Sequence, residues 1–349
     1  MPTVMPMKKS EALAKLDDAM RLENKSIETR KQYKYWAETY CTFIERSTIK
    51  DLPSKQKFDE FILRMVRRNP QPSLSNQKQA FFAILYFYKN VLGLKMEGLK
   101  PPSGHRSQKI FNVLTRSQIQ TLIDALPREY QLIAKLLYGT GIRIDECLSL
   151  RIKDIDFDHA SIYVQEGKGD KARAVDLPDV LIKDLKSQVE QARSLYEFDK
   201  NNKQGGVYLP HGYGAKHPKA AHSFEWFWLF PNPNHGLDPD SGKRQRHHVY
   251  IFSIQKAFKA AREKTKLPIY TTPHILRHCY ATHYLERVLK DLPPIPNIGK
   301  FARDLLQEKM GHVSAETTDI YIHLAMPKHT TIDHSPLTEL LSAKSRSNT

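Results

Sequence analysis

YQLIAKLLYGTGIRIDECLSL, residues 130–150, decides how this chain is read. Leu132, Ile133, Leu136 and Leu137 recur at the spacing of a buried helix. Gly139 and Gly141 interrupt it, and IDECLSL restarts a second helix after the turn. Arg143 stands just past the glycines and Glu146 follows three residues later. Positions three apart share a helix face, so Glu146 can hold Arg143. A structural ion pair is the alternative reading of this segment taken alone.

Working outward, SIYVQEGKGDKARAVDLP (161–178) predicts a short hairpin, with SIYVQE and KARAVDL as strands and GKGD as the turn. Further helices are predicted from Thr115, a plausible N-cap, and over 252–265, 274–289 and 300–310. Residues 194–248 read as irregular and rich in aromatics. Upstream, amphipathic helices are predicted over 8–22, 26–46, 54–68 and 74–92, which suggests a small bundle. GLKPPSGHRSQK (98–109) reads as a linker. The fold class is therefore mainly α with a small antiparallel sheet (α+β). Residues 1–97 form a helical N-terminal domain, 98–112 a linker, and 113–349 a second domain containing the block 194–248. No internal repeat is visible.

The 349 residues carry 54 Lys+Arg against 38 Asp+Glu, a net charge of +16. Residues 1–110 hold 21 Lys+Arg and 11 Asp+Glu, so +10 of that surplus sits on the N-terminal third. Such a surplus points to a polyanion, and its clustering points to a nucleic-acid footprint. A membrane reading is disfavoured, because the longest apolar run, AFFAILYFY (80–88), is far below the roughly 20 residues of a span. MPTVMPMKKS has no apolar segment, so a secretory leader is not expected. Cys41, Cys147 and Cys279 are scattered, without a CxxC pair, which suits a reducing cytosol rather than a disulfide or zinc scaffold.

Other polar features sit at the edges of apolar segments. Lys168 and Lys171 lie at or beside the glycine turn of the hairpin, where a mobile cation could reach a substrate. In TTPHILRHCYATHYL (271–285), Pro273 suits a helix start and His274 and Arg277 fall on the first turn, which favours an anion. His274 and His278 are four apart, as zinc ligands can be, yet HILRH lacks the Glu of HExxH and a third ligand is not evident. In MGHVSAETTDIYIHL (310–324), His312 precedes Tyr321 by nine positions.

Taken together these residues suit phosphoryl transfer. Two arginines offer forked donors to non-bridging oxygens. Two histidines supply donors or a proton acceptor near neutral pH. A lysine can protonate a leaving alkoxide, and a tyrosine hydroxyl becomes a usable nucleophile beside such cations. This device calls for no metal and no cofactor.

The ordered set TGIRIDE (140–146), GKGDKAR (167–173), PHILRHCYAT (273–282) and GHVSAETTDIY (311–321) resembles the tyrosine recombinases, the phage-integrase-type site-specific recombinases. The resemblance runs from about residue 10 to 340. It implies a helical core-binding domain followed by a catalytic domain. It places Tyr321 as nucleophile, Arg143 and Arg277 as phosphate-binding arginines, His274 and His312 as the active-site histidines, and Glu146 as support for the first arginine. Lys168 takes the catalytic lysine's place, with Lys171 as the alternative. It also implies a homotetramer on DNA, with the C-terminal SPLTELL (335–341) packing on a neighbouring protomer, and a bacterial, cytoplasmic, nucleoid-associated enzyme.

Within the block 194–248, SLYEFDKNN, VYLPH, WFWLFP and GLDPDSGKRQRHH resemble the additional domain of integron integrases. That subfamily recombines gene cassettes at folded single-stranded attC hairpins and duplex attI sites. The resemblance makes Trp226, Trp228, Pro231, His247 and His248 candidates for holding extrahelical bases, with loop anchoring as the alternative for the two tryptophans. A Xer-like or mobile-element recombinase acting on duplex sites is the alternative function, and a non-catalytic DNA-binding protein a third. Two departures stand out. HGYGAKHPKAAHSFEW (211–226) matches only loosely, and 35 positions separate Arg277 from His312, with an extra loop around Pro293, Pro294 and Pro296.

Overall fold

The computed structural model describes residues 7–47, 50–104, 113–165, 172–209, 213–237, 242–269, 271–291, 298–311 and 321. Lys168, Lys171, His312, the loop around Pro293 and the segment 335–341 lie outside the described residues. The chain divides into two compact units, Met1–Ile110 and Phe111–Thr349. It is mostly helical, with two small antiparallel sheets.

The first unit holds α1 (Lys9–Leu22), α2 (Ile27–Arg46), α3 (Ser54–Val66) and α4 (Leu74–Asn90). Ser26 and Ser73 cap α2 and α4 by accepting from the Thr29 and Asn76 backbone N–H groups. Trp36 and Tyr40 of α2 meet Phe58, Phe61 and Met65 of α3 and Phe81, Ile84 and Tyr88 of α4 in one core. The two buried phenols satisfy each other, with Tyr40 Oη and Tyr88 Oη 2.5 Å apart. Leu13, Leu16 and Met20 dock α1 on Ala37 and Phe87. Most of the apolar faces pack inside the bundle, although Leu63, Val66 and Phe82 stay exposed, as do Arg64, Arg67 and Arg68 at the end of α3.

The second unit opens with α5 (Arg116–Ala125) and α6 (Arg128–Thr140). Thr115 and Gln118 close a reciprocal capping box at the start of α5. The short α7 (Ile144–Leu148) follows, then β1 (Ile155–Asp156), β2 (Ser161–Val164) and β3 (Arg173–Asp176). These strands form an antiparallel sheet in the order β1-β2-β3, with Ile162 opposite Val175 and Val164 opposite Arg173. Ile162, Val164 and Val175 turn inward while Tyr163 stays exposed, the alternation of a one-sided sheet. The predicted hairpin is therefore part of a three-stranded sheet, since the two-residue β1 is too short to show a period.

The block 194–248 is more regular than its composition suggests. Helix α8 runs from Asp179 to Asn201, so its last turns occupy the block's first residues. Leu181, Leu185, Ala192 and Asp199 continue one buried face. After the one-turn α9 (Tyr213–Lys216) come β4 (Pro231–Leu237) and β5 (Arg244–His248), an antiparallel pair with a register break between Pro231 and His235. That break accommodates prolines that cannot donate to a ladder. Arg246, 2% exposed, pairs with Asp199 through two hydrogen bonds of 2.5 Å and donates to the Asn232 and Pro233 carbonyls. One buried guanidinium therefore ties β4 and β5 to the end of α8. The block is also stitched to the main core, because Ile152 N–H donates to Phe227 O and Leu229 N–H to Leu150 O.

Helices α10 (Ile251–Thr265), α11 (Pro273–Asp291) and α12 (Ile298–Met310) complete the unit. The core gathers Leu122, Ile133, Leu137, Ile254, Phe258 and Leu276 from α5, α6, α10 and α11.

Candidate active site

Gly141 ends α6 in the left-handed region at φ +69°. A Cβ there would lie 2.3 Å from the Tyr280 ring, so this turn admits only glycine. The turn buries Ile142 and sets Arg143 as the N-cap of α7. Glu146 then reaches back, accepting from the Arg143 backbone N–H at 2.8 Å and from Arg143 Nη1 at 2.7 Å. Arg143 thus stands at the head of the helix rather than on its face, and the predicted pair forms through a capping geometry.

A third residue completes this pair. Arg173 of β3 donates from Nη1 and Nη2 to the two Glu146 oxygens, at 3.0 and 2.7 Å. Burial alone would raise the Glu146 carboxyl, but the hydrogen bonds from Arg173 and Arg143 outweigh it and hold the group at about 2. Arg173 stands outside the expected site residues, although it ends the GKGDKAR motif that carries the family resemblance. Its signal was an arginine placed on a strand otherwise alternating apolar and polar.

Arg277, 7% exposed on α11, donates from Nη1 to Gly141 O at 2.5 Å and from Nη2 to Met310 O at 2.7 Å. Arg143 Nη2 donates to Gly311 O at 3.1 Å. The two arginines therefore both grip the end of α12, and Arg277 also grips the glycine turn that positions Arg143. Burial, with the nearby Arg143 charge, lowers the Arg277 guanidinium to about 10, which leaves it protonated at neutral pH.

Tyr321 is 3% exposed and packs among Ala281, Leu285, Ala302, Leu306 and Met310. Its hydroxyl lies 2.5 Å from His278 Nδ1, and the two rings are 5.6 Å apart and tilted by 34°. Burial pushes the Tyr321 phenol up to about 12, against the pull of the Arg277 charge. Burial, aided by His274 and Arg277, lowers His278 to about 4. His278 is therefore neutral at pH 7, with one ring nitrogen able to donate and the other to accept. His274, one turn earlier, is exposed. Arg143, Glu146, Arg277 and Tyr321 are thus brought to one centre, and two residues outside the predicted set, Arg173 and His278, join them.

The block 194–248 carries a second cluster. Trp228 is 4% exposed and donates from Nε1 to Arg246 O at 2.9 Å. The Arg151 guanidinium sits 3.8 Å over its ring and 5.2 Å from that of half-buried Trp226. Lys153 lies 4.0 Å over Trp226, and Tyr213 packs tilted against Trp226 at 4.6 Å, with His217 tilted against Tyr213 at 4.3 Å. His248 packs edge-on against Trp228 at 5.0 Å and donates from Nδ1 to Val249 O. Half-buried Pro231 opens β4 opposite His248, and His247 faces Tyr250. Trp226 and Trp228 lie on a tight turn and a bridge to Arg151 rather than on one extended strand.

The chain matches the Phage integrase family over residues 112–328 and the Phage integrase N-terminal SAM-like domain over residues 13–97. The chain belongs to the phage integrase family of tyrosine recombinases. It is an enzyme of site-specific DNA recombination. An integrase/recombinase of Escherichia coli is 36% identical over 320 residues, 91% of each chain. The tyrosine recombinase XerA of Thermococcus kodakarensis is 27% identical over 317 residues, 89% of this chain and 90% of that one. In fold, the chain is similar to the XerH site-specific recombinase bound to its difH substrate, with a TM-score of 0.57 at 18% identity over 91% of this chain and 82% of that one. It is also similar to the Tn1549 transposon integrase in complex with transposon right end DNA, with a TM-score of 0.54 at 15% identity over 97% and 99% of the two chains. Among the described residues no helix is long and apolar enough to cross a membrane.

Proposed function

We propose that this recombinase is an integron integrase, which inserts and excises gene cassettes at folded single-stranded attC hairpins and duplex attI sites. The observation that carries this reading is the block 194–248. Its described residues form a built element, anchored by the Arg246–Asp199 pair and carrying packed aromatics and cations. Aromatic platforms of that kind suit unstacked bases, each worth about 1–3 kcal/mol. Trp226, Pro231, His247 and His248 are the half-buried candidates for such contacts, and Trp228 is buried.

In the chemistry, Tyr321 Oη attacks the scissile phosphorus, the bond to the 5′ oxygen breaks, and a 3′-phosphotyrosine forms. Arg143 and Arg277 bind the non-bridging oxygens, where charge develops in the transition state. Lys168, or Lys171 beside it, protonates the leaving 5′ oxygen, while one of His274 and His312 accepts the proton that Tyr321 gives up and the other donates to the phosphate. The partner strand's 5′ hydroxyl then attacks the phosphotyrosine and releases Tyr321. The ester keeps the bond energy, so no nucleotide cofactor is called for, and the cations stand in place of a metal.

Residues 1–97 act as the core-binding domain and 113–349 as the catalytic domain, joined by 98–112. The working form is a homotetramer on DNA, each C-terminal segment 335–341 packing on a neighbour, in the bacterial cytoplasm at the nucleoid.

The test offers the full chain a labelled folded attC hairpin, its complement strand and a duplex Xer-type site. Covalent adduct on the hairpin, absent in Tyr321→Phe, supports the reading. Adduct on duplex sites alone supports the Xer-like alternative, which the XerA similarity favours.

A further inference from the structure

We infer that His278 is a positioning residue for the nucleophile, accepting the Tyr321 hydroxyl hydrogen at Nδ1 and thereby fixing where the oxygen's attacking lone pair points. The inference rests on the reading of Tyr321 as nucleophile. Three features of the structure carry it. The Nδ1 to Oη distance is 2.5 Å and the rings pack at 5.6 Å, so the contact fixes orientation as well as distance. His278, Ala281 and Leu285 fall three and seven positions along α11, on one face, and Ala281 and Leu285 pack with the Tyr321 ring. One helix face therefore seats the whole tyrosine, its ring on alanine and leucine and its hydroxyl on the imidazole. Finally, that face is rigidly placed. Arg277, the preceding residue, is tied to Gly141 O and Met310 O, which locks α11 to the turn carrying Arg143 and to the end of α12.

The lowered His278 basicity agrees with this role, since a neutral imidazole has one ring nitrogen free to accept, which the proposal places at Nδ1. It also separates positioning from proton removal. An imidazole this weakly basic orients the hydroxyl without taking its proton in the resting state. Tyr321 is 3% exposed, so a phosphodiester reaches its oxygen only after the surrounding chain shifts. In this account the His278–Tyr321 pair persists through that shift.

The experiment compares full-length wild type with His278→Asn, His278→Phe and Tyr321→Phe. Asparagine places an amide oxygen near the Nδ1 position, whereas phenylalanine keeps the ring and removes the acceptor. Adduct formation is measured in single turnover on labelled attC hairpin and on duplex site DNA, with DNA affinity from gel shift and folding from thermal melting. His278→Phe is expected to lose about 100-fold in the rate of adduct formation, the cost of a misaligned attacking group, at unchanged DNA affinity. His278→Asn is expected to recover most of that loss. A His278→Phe rate equal to or above wild type, or equal losses in both variants, would overturn the proposal. An adduct that survives Tyr321→Phe refutes the nucleophile instead. Whatever DNA is cleaved, ¹⁵N-histidine spectra of the DNA-free chain decide the contact. An unprotonated His278 Nδ1 whose resonance moves in Tyr321→Phe supports it, and a protonated or unmoved Nδ1 overturns it.

Discussion

Arg173 and Glu146 meet through two parallel hydrogen bonds, and the same carboxylate also receives the backbone and side chain of Arg143. A single carboxylate thus orients two arginines that would otherwise repel. Replacing it by Glu146→Ala leaves both guanidinium groups uncompensated in a site where Arg173 and Glu146 are largely buried. The expected loss is about 3 kcal/mol of stability, read from urea unfolding. Cleavage should also fall, because Arg143 loses the partner that aims it. A variant as stable and active as wild type would remove Glu146 from the account.

The same carboxylate has a pH signature. Its folded pKa of about 2 lies below the ordinary 4.5. The ionised form is therefore the one the fold favours, and its contribution is full above about pH 4.5 and fades as pH falls toward 2. That contribution is worth about 3 kcal/mol. Urea midpoints followed between pH 6 and 2.5 should fall more steeply in wild type than in Glu146→Gln. Parallel profiles would contradict the assignment.

Arg277→Lys keeps the charge and loses the fork. A lysine can satisfy Gly141 O or Met310 O, not both in the observed geometry, so one buried carbonyl goes unpaired. The expected cost is about 2 kcal/mol of stability, with adduct formation down by at least about 100-fold. Preserved cleavage would show that one donor at this position suffices.

Two glycines in the second unit share nearly the same φ and differ in surroundings. Gly141 at φ +69° would drive a Cβ into Tyr280, whereas Gly242 at φ +67° has nothing within 4 Å. Gly242→Ala should cost only the left-handed penalty of about 1–2 kcal/mol. Gly141→Ala should cost clearly more and slow cleavage by displacing Arg143. Thermal melts of the two variants side by side make the comparison.

Asp199→Ala probes the block 194–248. It strands the buried Arg246 guanidinium and unties β4 and β5 from α8. A loss of about 3–5 kcal/mol in the block's local stability is expected. Binding of folded attC hairpins should weaken more than binding of a duplex site, as gel shifts would show. Equal losses on both would detach the block from hairpin recognition.

Much of this architecture was legible because local signals agreed with the final packing. Thr115 and Gly141 mark helix ends where the structure has them, although Gly139 lies within α6, and the alternation of residues 161–164 marks β2. The β4–β5 pair was not legible. PNPN reads as a turn, and it becomes a strand only because Arg246, 13 and 14 residues away in sequence, donates to its carbonyls. The site divides in the same way. Arg143, Glu146, Arg277 and Tyr321 take their roles from their motifs, while Arg173 and His278, which stand in the same motifs, take theirs from partners 27 and 43 residues distant, which no local spacing reveals.

The most direct measurement maps the covalent bond itself. The full chain is incubated with a folded attC hairpin, digested, and sequenced by mass spectrometry for a nucleotide-bearing tyrosine. The account predicts a 3′-phosphate ester on Tyr321 and on no other residue, formed with the hairpin. An ester on another residue, or none on the hairpin while duplex sites are cleaved, would contradict it.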